Sequence, residues 1–181
     1  MGVTHGKGAT PRRGVGDADL MGFFHYFEWE GVMRRSAFVW LYYHLVFSKK
    51  YCRPLIVSSW RDNLHRYLGG VVRTAGGVAE AVGGVENHVH ILVRLRSTHR
   101  LCDVLRDIKR TSSAWVHETI GLEEFRWQDG YAAFTVSKSK IQNLKRYIYQ
   151  QELHHHKHSF LNEYKSLLTQ HGLAFKPQDL E

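Results

Sequence analysis

Two histidines, His88 and His90, stand in ENHVHILVRL, a run over residues 86–95 that otherwise reads as a buried strand. Side chains on a strand alternate between faces, so His88, His90 and Leu92 share one face and Val89, Ile91 and Val93 the other. Positions two apart on a strand are about 7 Å from each other, close enough for two imidazoles to converge on one cation. The apolar set is expected to face covering helices, which puts the histidines on the more open face. A His-x-His pattern alone is a weak signal, and it equally suits two polar residues on a solvated face. A third ligand, a nucleophile and a basic surface would separate the two readings.

The segment KIQNLKRYIYQQELHHH, residues 140–156, supplies candidates for the first two. Residues four apart on a helix stack on one face, and Tyr147 and Gln151 are such a pair. His154 and His155 continue along that side, beside an apolar stripe of Ile141, Leu144 and Ile148. A phenol and an amide at the edge of a packed face can point into a site. Tyr149 falls on the far side, and its neighbour one turn on is Leu153, which coordinates nothing. The bland alternative is that Tyr147 is a boundary residue and that residues 154–158, HHHKH, are a solvated basic helix end.

The elements that must position these residues can be read in order. AFVWLYYHLVF (37–47) is rich in aromatic and β-branched residues and predicts a strand. A loop with Pro54 follows, then a helix capped near Ser59, with Leu64, Leu68, Val71 and Val72 at helical spacing. GGVAEAVGGVE and NHVHILVRL predict an antiparallel hairpin. THRLCDVLRDIKRTSSAWVHETI is helical, with a break expected near Thr111–Ser112. A turn at Asp129–Gly130 precedes a fourth strand, a helix over residues 137–158 and a last helix ending at Gly172. The order βαββαβ predicts an α+β fold: a ferredoxin-like or RRM-like split βαβ antiparallel sheet, helices on one face, and a further C-terminal helix for the other.

The 181 residues, 43% hydrophobic and 13% aromatic, suit one compact domain with a real core. The net charge is +8, yet residues 1–32 sum to −1, so residues 33–181 carry +9. Such an excess suits a polyanionic partner, most often nucleic acid, and equally serves solubility. Residues 1–32 are rich in glycine and lack any helical or strand period. They are expected to be a disordered extension or an over-long gene start, with Met33 the true beginning of a single domain over 33–181. Cys52 and Cys102 make neither a disulfide framework nor a metal-ligand spacing, which suits a reducing cytoplasm. Apolar runs fall short of the ~20 residues that cross a bilayer, so no membrane partner is expected.

Taken together, these motifs resemble the small tyrosine transposases of the IS200/IS605 type, members of the HUH endonuclease superfamily. HLVFSKKYCRPLI, NHVHILV, WQDGYAAFTVSKS and YIYQQELHH stand in the family's order, and the resemblance covers nearly all of residues 37–175. It implies that His88 and His90 bind a divalent ion, Mg2+ or Mn2+, that Gln151 completes the metal site and that Tyr147 is the nucleophile. It implies cutting and rejoining of single-stranded DNA through a 5′-phosphotyrosine, hairpin recognition, and a homodimer in which the catalytic helix can serve the partner's histidines. Arg94, Arg96, Arg100, Arg106, Lys109 and Arg110, with Lys138, Lys140, Lys145 and Arg146, would then track the DNA backbone. Exposed aromatics among Trp115, Trp127 and Tyr131 would stack unpaired bases. Two other readings are a domesticated repeat-associated relative that cuts hairpin DNA, and a non-catalytic single-strand nucleic-acid-binding module.

Overall fold

The computed structural model describes residues 1, 38–155 and 159–176. The chain divides between Ala37 and Phe38, and every element below belongs to the unit Phe38–Glu181. The expectations for residues 1–32 therefore lie outside the described residues.

Four strands form one sheet: β1 Tyr42–Ser48, β2 Val78–Gly84, β3 His88–Arg94 and β4 Ala132–Thr135. Their order is β2-β3-β1-β4 and every pairing is antiparallel, the split βαβ arrangement expected. Helices α1 (Ser58–Thr74) and α2 (Leu101–Trp115) are the crossovers. The apolar faces of both, including Leu64, Leu68, Val104 and Ile108, pack on Leu45, Phe47, Val89, Ile91 and Val93. Strand alternation thus delivers one apolar face to two amphipathic helices, and this is the main core.

The opposite face is also covered. Helices α3 (Ile141–Tyr149), α4 (Gln151–His155) and α5 (Phe160–Gln170) follow β4. Ile141 and Ile148 of α3 bury Leu92, Ala81 and Tyr42. Phe160, Tyr164 and Leu168 of α5 bury Val46, Ala132 and Phe134. Among the described residues no helix is long and apolar enough to cross a membrane.

Three local expectations are corrected. The first strand begins at Tyr42 rather than residue 37, because β3 ends at Arg94, opposite Tyr42, and the earlier residues have no strand to pair with. Phe38, Val39 and Trp40 are accordingly exposed. Helix α2 does not break at Thr111–Ser112. The Thr111 and Ser112 hydroxyls donate back to the carbonyls of Asp107 (2.7 Å) and Ile108 (2.6 Å) and are satisfied inside the helix. The long helix expected over residues 137–158 is interrupted, since Gln150 leaves helical geometry (φ −100°, ψ 18°) between α3 and α4. At that break α3 crosses the edge strand at Gly83, where any Cβ would lie 2.2 Å from the carbonyl oxygen of Ile148. Only glycine permits this approach.

Candidate metal and nucleophile site

The β1–β3 register sets Ser48 opposite His88 and Val46 opposite His90, so the two histidines stand in the middle of the sheet. Both are fully buried, not on the solvated face that alternation alone suggested, because α4 and α5 close over them. The Phe160 ring stacks on that of His88 with centroids 4.3 Å apart.

Each imidazole is held through Nδ1. His88 Nδ1 is 2.8 Å from Asn87 Oδ1, and His90 Nδ1 is 2.9 Å from Nε2 of His44. The tautomers that donate from Nδ1 leave both Nε2 lone pairs aimed inward. His90 Nε2 is buried without a hydrogen-bond partner among the described residues. Burial pushes the His90 pKa down to about 3, and those of His88 and His44 well below the usual imidazole value, so all three are neutral at pH 7.

Gln151 and Glu163 complete the cluster. Gln151 Oε1 lies 3.0 Å from His88 Nε2, and its Nε2 donates to Glu163 Oε1 at 3.0 Å. Glu163 Oε1 is 3.3 Å from His90 Nε2, and Oε2 is 3.5 Å from His88 Nε2. Burial raises the Glu163 carboxyl to about 8. One ligand atom from each of His88, His90 and Glu163 lies within 4.8 Å of the others. The two imidazole Nε2 lone pairs and the Gln151 amide oxygen converge on a carboxyl that burial keeps largely protonated at pH 7, and a small divalent cation would take the place of that proton.

Tyr147, half-buried on α3, points its hydroxyl into the same cluster and donates a hydrogen bond to Glu163 Oε1. Its ring centroid is 5.6 Å from that of His90 of the same chain. Tyr149 faces away and is exposed, as helical spacing predicted. His155 Nε2 lies 2.9 Å from Glu163 Oε2 and 3.1 Å from Gln151 Oε1, so this histidine joins the cluster rather than a solvated helix end. His154 Nε2 lies 3.8 Å from Glu163 Oε1.

Glu163 and His44 were missed in the sequence. Glu163 sits on the apolar stripe of α5, three residues after Phe160 and four before Leu167, and a carboxylate on a buried stripe is itself a signal. His44 shares strand parity with Val46 and Tyr42, which offered a weaker hint.

The basic residues do not form one surface around this site. Arg106, Lys109 and Arg110 belong to α2, on the other side of the sheet. Arg106 pairs with Asp103 at 2.9 Å, Arg110 lies 3.8 Å from Asp107, and Arg100 lies 3.5 Å from Asp103. Lys109 donates to the carbonyls of Asp129 (3.1 Å) and Gly130 (2.9 Å), which anchors the turn before β4. Lys145 and Arg94 both face Glu80, at 2.6 and 3.8 Å. Lys138 lies over the Trp40 ring, while Arg96, Lys140 and Arg146 are exposed. Trp127 is buried and Trp115 is stacked on Tyr67, whereas Tyr131 is exposed.

A cavity of ≈820 Å3 opens beside Tyr147, between α3, α5 and β4. His44, Tyr147 and Glu163 line it.

This architecture has known counterparts. The family model described as "Transposase IS200 like" matches residues 37–151. The chain belongs to the IS200-like transposase family. The match takes in His88, His90, Tyr147 and Gln151 and stops at Gln151, so Glu163 lies beyond it. No curated protein matches the chain. Among solved structures, one similar protein is described as a candidate transposase from Deinococcus radiodurans R1. It is 23% identical, with a TM-score of 0.55, over 67% of this chain and 98% of that one. Another is a REP-associated tyrosine transposase bound to a REP hairpin, 16% identical, with a TM-score of 0.51, over 69% of this chain and 74% of the other. These two likenesses bear on the fold. In this chain α5, which lies beyond the matched residues, brings a carboxylate to the histidines.

Proposed function

We propose that this transposase cuts and rejoins single-stranded DNA through a 5′-phosphotyrosine on Tyr147. The observation that carries the reading is the convergence of the Tyr147 hydroxyl with His88, His90, Gln151 and Glu163 in one buried cluster. His88, His90 and Gln151 would hold a divalent ion, with Glu163 as a further oxygen ligand. Mn2+ suits two imidazoles better than Mg2+, which favours all-oxygen shells. When bound, such an ion neutralises charge on a phosphate oxygen and polarises the phosphorus.

The chain's own residues do the rest. Glu163 accepts the phenol's hydrogen bond and orients its oxygen. The oxygen of Tyr147 attacks phosphorus, the bond to the 3′ oxygen breaks, the phenol's proton leaves and the departing 3′ oxygen gains one. The phosphodiester energy is kept in the tyrosine ester, so a second 3′-hydroxyl can rejoin the strand without ATP. A pure binding module would have no use for this cluster. That one similar protein is bound to a REP hairpin supports hairpin DNA as the partner.

The test is incubation with single-stranded hairpin DNA and Mn2+ or Mg2+, read on a denaturing gel. Tyr147→Phe should lose the covalent protein–DNA band while Tyr149→Phe keeps it. The reverse pattern overturns the assignment, and a band that survives EDTA sinks the metal reading. The homodimer remains part of the proposal, with light scattering as its measure. One chain already brings its own Tyr147 beside its own His90.

A further inference from the structure

The cavity beside Tyr147 has a chemistry of its own. Phe134, Leu144 and Leu167 supply apolar wall, and the amides of Asn143, Asn162 and Gln170 also line it. Phe134 is buried and stacks face to face on the exposed His171 at 4.1 Å and 25°, so the His171 ring carries the aromatic surface on this side. The Asn143 and Asn162 side-chain amides make no hydrogen bond to another described residue, and both residues are exposed. Lys140 is the one lysine in the lining, and arginine is absent from it among the described residues.

That composition separates two kinds of occupant. Phosphate is gathered by arginine and lysine, and the cavity has little of either. An unpaired base needs a flat apolar surface for its π-face and amides for its edge, as asparagine and glutamine supply. At ≈820 Å3 the cavity lies within the roughly 300–1,000 Å3 range of pockets that bury small ligands. Because Tyr147 and Glu163 line it, a phosphate at the nucleophile would have its neighbouring base at this opening.

We infer that this cavity takes the unpaired base adjoining the scissile phosphate, with Asn143 and Asn162 reading its edge against the apolar wall of Leu144, Leu167 and the Phe134–His171 stack. These residues would then contribute to the choice of cleavage sequence. The inference rests on the proposed strand-transfer reading and names the part of the substrate this side of the site holds.

The experiment uses full-length Tyr147→Phe protein and short single-stranded oligonucleotides carrying 5-iodouracil on either side of the cleavage position, photo-crosslinked and mapped by mass spectrometry. Crosslinks to Leu144, Leu167 or His171 are expected from one of the two positions. An abasic replacement there should weaken binding roughly 5–100-fold, and Asn143→Ala with Asn162→Ala should remove most of that difference. Crosslinks confined to α2, or binding indifferent to the abasic site at both positions, overturn the inference. Adduct formation by wild-type protein on the same oligonucleotides reports the strand-transfer reading separately, because crosslinking and binding need no cleavage.

Discussion

The hydroxyl of Tyr147 donates a hydrogen bond to Glu163, a carboxylate that arrives on α5 from a different part of the chain. The same carboxylate accepts from Gln151 and lies 3.3 Å from His90. The proposed nucleophile and the proposed metal ligands are thereby tied to one buried group, which α5 supplies.

Glu163→Gln should keep the helix in place but remove the anionic oxygen. Metal affinity is expected to fall by about 10–100-fold, the range seen when groups around a metal are changed. The check is thermal denaturation with and without Mn2+. Wild-type protein at 100 times its Kd should gain about 2.7 kcal/mol, and the variant at that same concentration clearly less. Without metal, the variant should match wild type below about pH 4.5 and gain on it as pH rises toward about 8, because burial holds on Glu163 a proton that the unfolded chain gives up over that range. Equal metal-induced shifts in both proteins would remove Glu163 from the ligand set.

His44→Ala should weaken metal binding without touching a ligand. His44 Nε2 lies 2.9 Å from His90 Nδ1 and fixes which nitrogen of His90 faces the cluster. Partners of this kind are worth about 10–100-fold in affinity. Titration calorimetry with Mn2+ reads the loss, and His44→Gln, which can still accept, should recover part of it.

Gly83→Ala tests how the helix break sets Gln151. A Cβ at position 83 would sit 2.2 Å from the Ile148 carbonyl oxygen, a backbone atom that cannot rotate aside. Overpacking of this kind costs about 1–3 kcal/mol. Thermal denaturation should show that loss, and metal affinity should fall with it as α3 and α4 lift from β2. Unchanged affinity alongside lowered stability would mean that Gln151 keeps its place independently of the break.

Acid stability should depend on His65. This α1 side chain is mostly buried, its Nε2 lacks a hydrogen-bond partner among the described residues, and burial lowers its pKa to about 4. The unfolded chain takes up a proton near pH 6.5 where the folded chain does not, so the contribution is complete above about pH 6.5 and is lost as pH falls toward 4. The loss amounts to roughly 3 kcal/mol at most. His65→Leu should flatten the fall in melting temperature between these limits. It should not abolish it, since His44, His88 and His90 are shifted in the same direction. An unchanged profile would show that His65 carries no part of the acid response.

The periodic parts of this protein are legible in its residues. Alternation in NHVHILV puts His88 and His90 on one face, helical spacing pairs Tyr147 with Gln151, and the order of patterns yields the split βαβ sheet, because each follows from local backbone geometry. The tertiary structure decided what could not be local. It buried the histidines by laying α4 and α5 over them, broke the long helix where Gly83 admits Ile148, and brought Glu163 and His44 to the cluster from separate elements. It also spent Lys109 on a turn, and held Arg106 and Arg110 on the far side of the sheet. Which side chains meet across the core depends on how whole elements dock, and docking is set by the summed shape and burial of many residues rather than by the spacing of any two.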